Sequence, residues 1–270
     1  ALAMGEPVDS ERRMTCATIE ALHIACQKTG SMCAEESAIL ARMAALTPQV
    51  SAELQKEALD SVAKAYSVIK QGKYYYDKDD FLAERKMSAK IVELASAKPV
   101  KEREIEDAFI KWQKENSIIL SPRQAEAVRN LKYRISIVTG GPGTGKTTCL
   151  RAIMDVYHMV WPDEHILLMA PTGLAAKRMA ESTGVDKAKT LHSILGLASE
   201  EDEIKRNNTQ EPLSADLIIV DEFSMVDMWL ANKFFSRIKG GARVILGGDP
   251  DQLPSVGAGN VFRELIDCGL

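Results

Sequence analysis

One nine-residue run, Gly140–Thr148 (GGPGTGKTT), constrains this chain more than any other stretch. It follows the apolar, strand-like ISIVT and precedes a helical pattern. It therefore satisfies G-x-x-x-x-G-K-[ST] in the strand–loop–helix setting that gives the motif its meaning. Glycines at such a turn let successive backbone N–H groups converge on phosphate oxygens, and the helix that follows adds the positive end of its dipole. Gly141, Pro142, Gly143, Thr144, Gly145, Lys146, Thr147 and Thr148 are the candidate phosphate loop. Within it, Lys146 is expected to reach the β- and γ-phosphates and the Thr147 hydroxyl to ligate Mg2+.

A second signal lies downstream in Leu217–Glu222 (LIIVDE), an apolar strand ending in two acids. Asp221 fits the carboxylate that helps hold Mg2+, and Glu222 is placed to orient or deprotonate an attacking water. An acidic pair at a strand end is common; behind a phosphate loop it specifies a nucleoside triphosphatase. No N-K-x-D guanine-reading motif follows, so ATP is the expected nucleotide. Upstream, LSPRQAEAV opens a helix with Ser121 as N-cap and Pro122 at its first position, which places Gln124 on the first turn. A glutamine amide can pair with N6–H and N7 of adenine, so Gln124 is the candidate base reader. The strand Val244–Leu246 runs into GGDPDQLPSVGAGNVF, where Gln252 is expected to sense the γ-phosphate. Lys146, Asp221, Glu222 and Gln252 form the expected catalytic set.

Taken in order, LSPRQ, GGPGTGKTT, APTGLAAKR, TLHSILG, DEFSMVD and GDPDQLPSVG resemble the first motor domain of superfamily 1B DNA helicases, specifically the RecD-like group. The resemblance runs from Leu120 to the C-terminus. It implies a RecA-like ATPase domain, 5′-to-3′ translocation on single-stranded DNA, and a role in DNA repair and recombination. It also implies strand contacts from Pro171, Thr172 and Gly173 and from Thr190 and His192. Hydroxyls and backbone N–H groups in loops at the end of a parallel sheet suit phosphate contacts that carry no sequence information. His192 taken alone reads equally as a structural histidine. The family also has a second RecA-like domain supplying motifs IV–VI. The sequence here starts without Met and stops soon after motif III, so a piece of a longer protein, poorly active alone, is the expectation. The rival readings are a clamp-loader-type ATPase, disfavoured by GDPDQLP, and a docking module in which nucleotide acts only as a switch.

The first ~97 residues differ in character, being rich in Ala, Met, Glu and Lys. Their spacing predicts helices over about 9–28 and 35–46, and a third beginning at Ser51. A strand or hairpin is expected around Tyr74–Tyr76. Three helices and a hairpin suggest a winged-helix-like module, with a plain helical bundle as the alternative. The expected domains are 1–97 and 98–270, with the break at Lys98-Pro99. The amphipathic stripe Ile105, Phe109, Trp112 then packs on the α/β domain. Ser199–Pro212 reads as a polar surface loop.

Of the 270 residues, 46% are hydrophobic and 27% charged, and the net charge is −4, so neither disorder nor bulk basic attraction to nucleic acid is indicated. Any DNA contact must come from a local groove. No run of ~18 apolar residues indicates a transmembrane helix. The five cysteines are odd in number and form no C-x-x-C pair, which points to reduced thiols in the cytoplasm.

Overall fold

The computed structural model describes residues 7–65, 67–141, 143–185, 188–197, 211–252, 255 and 257–270. The expected loop 199–212 falls largely outside them, as do Pro142 and the Leu253-Pro254 pair. The chain forms two compact units, Ala1–Arg85 with Val256–Asn260, and Lys86–Ser255 with Val261–Leu270.

In the first unit, α1 (Glu11–Thr29) begins where the Ser10 hydroxyl accepts the Arg13 N–H at 3.3 Å. It ends at Gly30, whose φ of 66° lets its N–H turn back to the Cys26 and Gln27 carbonyls. The helices α2 (Glu36–Leu46) and α3 (Ala52–Lys64) follow, the latter capped by Ser51. Three strands complete the unit: β1 (Cys33–Glu35), β2 (Val68–Gln71) and β3 (Tyr74–Asp77). They form an antiparallel sheet in the order β1-β3-β2. The β2–β3 turn carries Gly72 at φ 61°. The expected hairpin is therefore the wing of a three-helix module, and the short β1 is an addition that three residues of sequence did not announce. Strand alternation sorts the tyrosine run: Tyr75 is buried against Leu22, Ile39, Met43, Leu59 and Val68, while Tyr74 faces outward.

The division between units falls between Arg85 and Lys86, inside α4 (Lys78–Ala95), and so earlier than the Lys98-Pro99 break. A helix that continues through a division leaves no turn residue to mark it.

In the second unit, five parallel strands run in the order β4-β8-β7-β5-β6. They are β4 (Ile135–Thr139), β5 (Ile166–Ala170), β6 (Lys189–Thr190), β7 (Leu217–Val220) and β8 (Arg243–Gly248). The central strands β7 and β8 are buried along their whole length, as a sheet covered on both faces requires. Helices α5 (Glu102–Asn116), α6 (Pro122–Arg129), α7 (Lys146–Val160), α8 (Gly173–Thr183), α9 (Leu191–Leu195), α10 (Met228–Ser236) and α11 (Val261–Asp267) connect and flank them. The α5 stripe of Ile105, Phe109 and Trp112 joins the core formed with α7, as its spacing predicts. Trp112 Nε1 donates to Asp155 Oδ2 at 2.8 Å, which satisfies the indole as it is buried. At the opposite edge from the phosphate loop, the buried Arg243 donates to the Leu131 carbonyl at 3.0 Å and stacks 4.1 Å over Trp161. Burial lowers the pKa of its guanidinium.

Because all five strands are parallel, their C-terminal ends share one edge. Every motif loop leaves the sheet there. The strand β8 sits between the phosphate-loop strand β4 and the acidic strand β7, so its loop emerges between the two.

Candidate nucleotide-binding site

The loop after β4 folds on itself before α7 begins. Thr144 Oγ1 donates to the Gly141 carbonyl at 2.8 Å, and the Gly140 N–H donates to Gly248 of β8 at 3.2 Å. Gly143 and Gly145 have φ of 78° and 79°, in the left-handed region that favours glycine. Gly145 also leaves room for Gln124, since a Cβ there would stand 2.5 Å from Nε2 and push the end of that side chain off the loop.

That contact locates Gln124. Its Oε1 accepts the Ser121 N–H at 3.0 Å, completing a capping box with the Ser121 hydroxyl. Its Nε2 donates to the Thr144 carbonyl at 3.1 Å and to the Gly145 carbonyl at 3.4 Å. Both ends of the amide are occupied. In this structure Gln124, the candidate adenine reader, braces α6 to the phosphate loop, because the loop offers two carbonyls at the distance the side chain spans.

Lys146 is the first residue of α7, and its Nζ lies 2.8 Å from Asp221 Oδ1 and 3.7 Å from Glu222 Oε1. The three side chains are largely buried, at 15%, 18% and 28% exposure, so the ammonium serves as counterion to the acidic pair. Asp221 Oδ1 also accepts the Glu222 N–H at 2.9 Å. Glu222 has φ 56°, a left-handed conformation costing about 1–2 kcal/mol outside glycine, and it aims its carboxylate back toward the loop. Its Oε2 is buried and has no hydrogen-bond partner among the described residues. A Cβ on Gly247 would approach Asp221 Oδ1 to 3.0 Å, so glycine at this point of β8 lets the acidic strand end lie close. Beneath it, Phe223 packs with Phe234, Phe235 and Phe262, holding the turn that carries the acids.

Two cavities meet at Lys146. One, of about 370 Å³, is lined by Gln124, Thr139, Gly140, Gly141, Thr144 and Asp249 among others. The other, of about 430 Å³, is lined by Thr147, Asp221, Glu222, Gln252, Thr172 and Arg178 among others. Gln252 thus shares a cavity with the acidic pair, and its N–H donates to the Asp249 carbonyl at 3.3 Å. Thr148 is exposed on α7 and lines neither. Pro171, Thr172 and Gly173 follow β5, with the Thr172 hydroxyl capping α8 by accepting the Ala175 N–H at 3.2 Å. Thr190 ends β6 and caps α9 in the same way, and His192 is exposed on that helix's first turn. In the sequence Asp249 stands only as a carboxylate at the end of β8, and Arg178, the last residue of APTGLAAKR, has no role of its own; the fold sets Asp249 in the wall of the first cavity and Arg178 in that of the second.

A parallel sheet with a phosphate loop, an acidic strand end and an intervening strand defines a RecA-like P-loop nucleotide-binding domain. Residues 124–258 match the family model described as an AAA domain. Over 95% of its length the chain is 32% identical to the ATP-dependent RecD2 DNA helicase of Deinococcus radiodurans, of which it spans 37%. It is 40% identical to the RecBCD enzyme subunit RecD of Haemophilus influenzae over 50% of this chain and 24% of that one. The chain belongs to this family of RecD-like superfamily 1B helicases. Among solved structures it is similar to the Pif1 helicase from Candida albicans, at 29% identity over 51% of this chain and 34% of that one, with a TM-score of 0.38.

Proposed function

We propose that this chain is the ATP-hydrolysing core of a DNA helicase that moves 5′ to 3′ on single-stranded DNA, in which residues 1–97 form an accessory module and 98–270 the first motor domain. The observation that carries the proposal is the convergence of Lys146, Asp221 and Glu222 at the meeting point of two cavities on one sheet edge.

The chemistry of the donor set fits Mg2+. Thr147 and Asp221 line one cavity and offer hard oxygen donors of the kind Mg2+ takes together with substrate phosphates and water. Thr147 and Asp221 would hold it, and when bound it neutralises charge on the phosphate oxygens. The residues themselves do the rest. Lys146 leaves the acidic pair for the phosphates, Glu222 orients and deprotonates the attacking water, and Gln252 registers the γ-phosphate from between the two strands. Gln124 keeps the loop in its phosphate-ready shape.

Thr172 and Thr190 cap helices at the same edge with their hydroxyl oxygens, leaving O–H groups to donate to a strand's phosphates, with Pro171, Gly173 and His192 beside them. Such contacts are sequence-tolerant and salt-sensitive, each neutralised phosphate contributing about −0.7 to the log–log salt slope. The docking-switch reading has no specific observation in its favour. Among the described residues no helix is long and apolar enough to cross a membrane, and a DNA-processing role suits the cytoplasm.

The test is strand separation by the intact protein with ATP on two duplexes, one carrying a 5′ single-stranded tail and one a 3′ tail. Unwinding of the 5′-tailed substrate alone is the expected result. Equal use of both tails would remove the directional assignment.

A further inference from the structure

We propose that Arg178 is a positioning residue for Glu222, replacing Lys146 as its counterion once the lysine turns to the phosphates. The proposal rests on the reading of Glu222 as the water-activating base.

Charge at Lys146, inside the larger cavity, is unbalanced. As the site stands, two carboxylates share a single ammonium, Lys146, at 2.8 and 3.7 Å. Nucleotide binding calls that ammonium away. Asp221 then has its role beside the metal, while Glu222 is left with no cation and with one oxygen already buried and unpartnered among the described residues. An uncompensated carboxylate in a partly buried cleft is costly and free to swing from its working direction.

The cavity that contains the acidic pair has one other cation in its wall, Arg178 on α8. It makes no ion pair among the described residues, whereas its neighbour Lys177 faces Glu181 at 3.9 Å. A planar guanidinium can grip a carboxylate through two parallel N–H groups, which fixes direction as well as charge. The placement has a second consequence. Thr172 caps the same helix at the end expected to meet the strand, so α8 joins the strand to the base through a rigid turn and a half. One helix thus links a residue expected to meet the strand with a cation in the wall of the acidic cavity, giving strand-dependent hydrolysis a physical route within this unit.

The experiment measures ATP turnover of the intact protein against oligonucleotide concentration, for wild type, R178A, R178K, E222Q and R178A/E222Q, with thermal melting of each. R178A is expected to lower the strand-stimulated kcat by about tenfold or more, within the range set by general-base catalysis. The KM for ATP and the Kd for the oligonucleotide should stay within about twofold, and R178K should recover most of the loss. In single turnovers, R178A should add little to the defect of E222Q, since both act on one group. Full kcat in R178A, a loss confined to oligonucleotide Kd and cured by saturation, or a fully multiplicative effect with E222Q would each overturn the proposal. Wild-type turnover by E222Q would remove the base itself, and Arg178's role with it; an inactive E222Q beside a fully active R178A would remove Arg178 alone.

Discussion

Gln124 Nε2 lies 3.1 Å from the Thr144 carbonyl and 3.4 Å from that of Gly145, so a side chain outside the nucleotide motif fixes the shape of the phosphate loop. The consequence is a loss without base selectivity. Gln124→Ala removes these bonds and half of a capping box, each hydrogen bond being worth about 1 kcal/mol. Affinity for ATP and GTP should fall together, by roughly 5- to 30-fold. Titration of both nucleotides checks it. A selective loss of ATP would return Gln124 to adenine reading.

Gly145→Ala should be worse. The substitution places a methyl where Gln124 Nε2 stands 2.5 Å away and forces alanine to φ 79°. Nucleotide affinity should drop below that of Gln124→Ala, and the double variant G145A/Q124A should recover part of it because the clash is gone. No recovery would show that backbone strain alone is at fault.

Lys146→Ala removes a charge-assisted contact to phosphate worth roughly 1.5–3 kcal/mol, about ten- to a hundredfold in affinity. Binding of Mg·ATP at wild-type strength would contradict the role given to Lys146.

Much of this site is legible in the sequence because its signals are local. GGPGTGKTT and LIIVDE name their strands as well as their chemistry, and β7 begins and ends where the apolar run does. Ser51 and Ser121 each announce a helix start, since a cap is a short-range bond. What stays hidden depends on distant partners. The brace made by Gln124 stays unseen until the fold sets two loop carbonyls some twenty residues on within its reach. Arg178 closes the motif APTGLAAKR, but nothing local says that it shares a cavity with the acidic pair; the parallel sheet brings α8 there. The strands β1 and β6 have three and two residues, too few to show a period of two. The division inside α4 carries no turn at all.

The thiols should sort by burial. Burial pushes the Cys149 thiol up to about 11 and the Cys26 thiol up to about 12, whereas Cys16 and Cys268 are exposed. At pH 8, alkylation followed by peptide mass mapping should label Cys16 and Cys268 first. Cys26 and Cys149 should react only as the chain unfolds. Rapid labelling of Cys149 in the folded protein would contradict the packing of α7 against α6.

Acid should release one tie beneath the sheet. The Lys239 ammonium, 2.6 Å from Asp216, and the His165 N–H hold that carboxyl below the usual carboxylate range. A depressed folded-state value means stability that is present at neutral pH and lost as pH falls below about 4. Asp216→Asn should therefore cost about 0.5–1 kcal/mol at pH 7, a figure kept small for solvent screening. The gap from wild type in urea unfolding should narrow steadily under acid; a constant gap would contradict the sign.

The most direct measurement is ATP turnover by wild type and Glu222→Gln, each with and without single-stranded DNA, beside their affinities for Mg·ATP. Wild-type turnover should rise with the strand. Glu222→Gln should bind nucleotide as tightly as wild type while its turnover falls by about 10²–10⁴. A wild-type rate indifferent to single-stranded DNA, or a Glu222→Gln variant that hydrolyses at full speed, would contradict a strand-driven ATPase built on Lys146, Asp221 and Glu222.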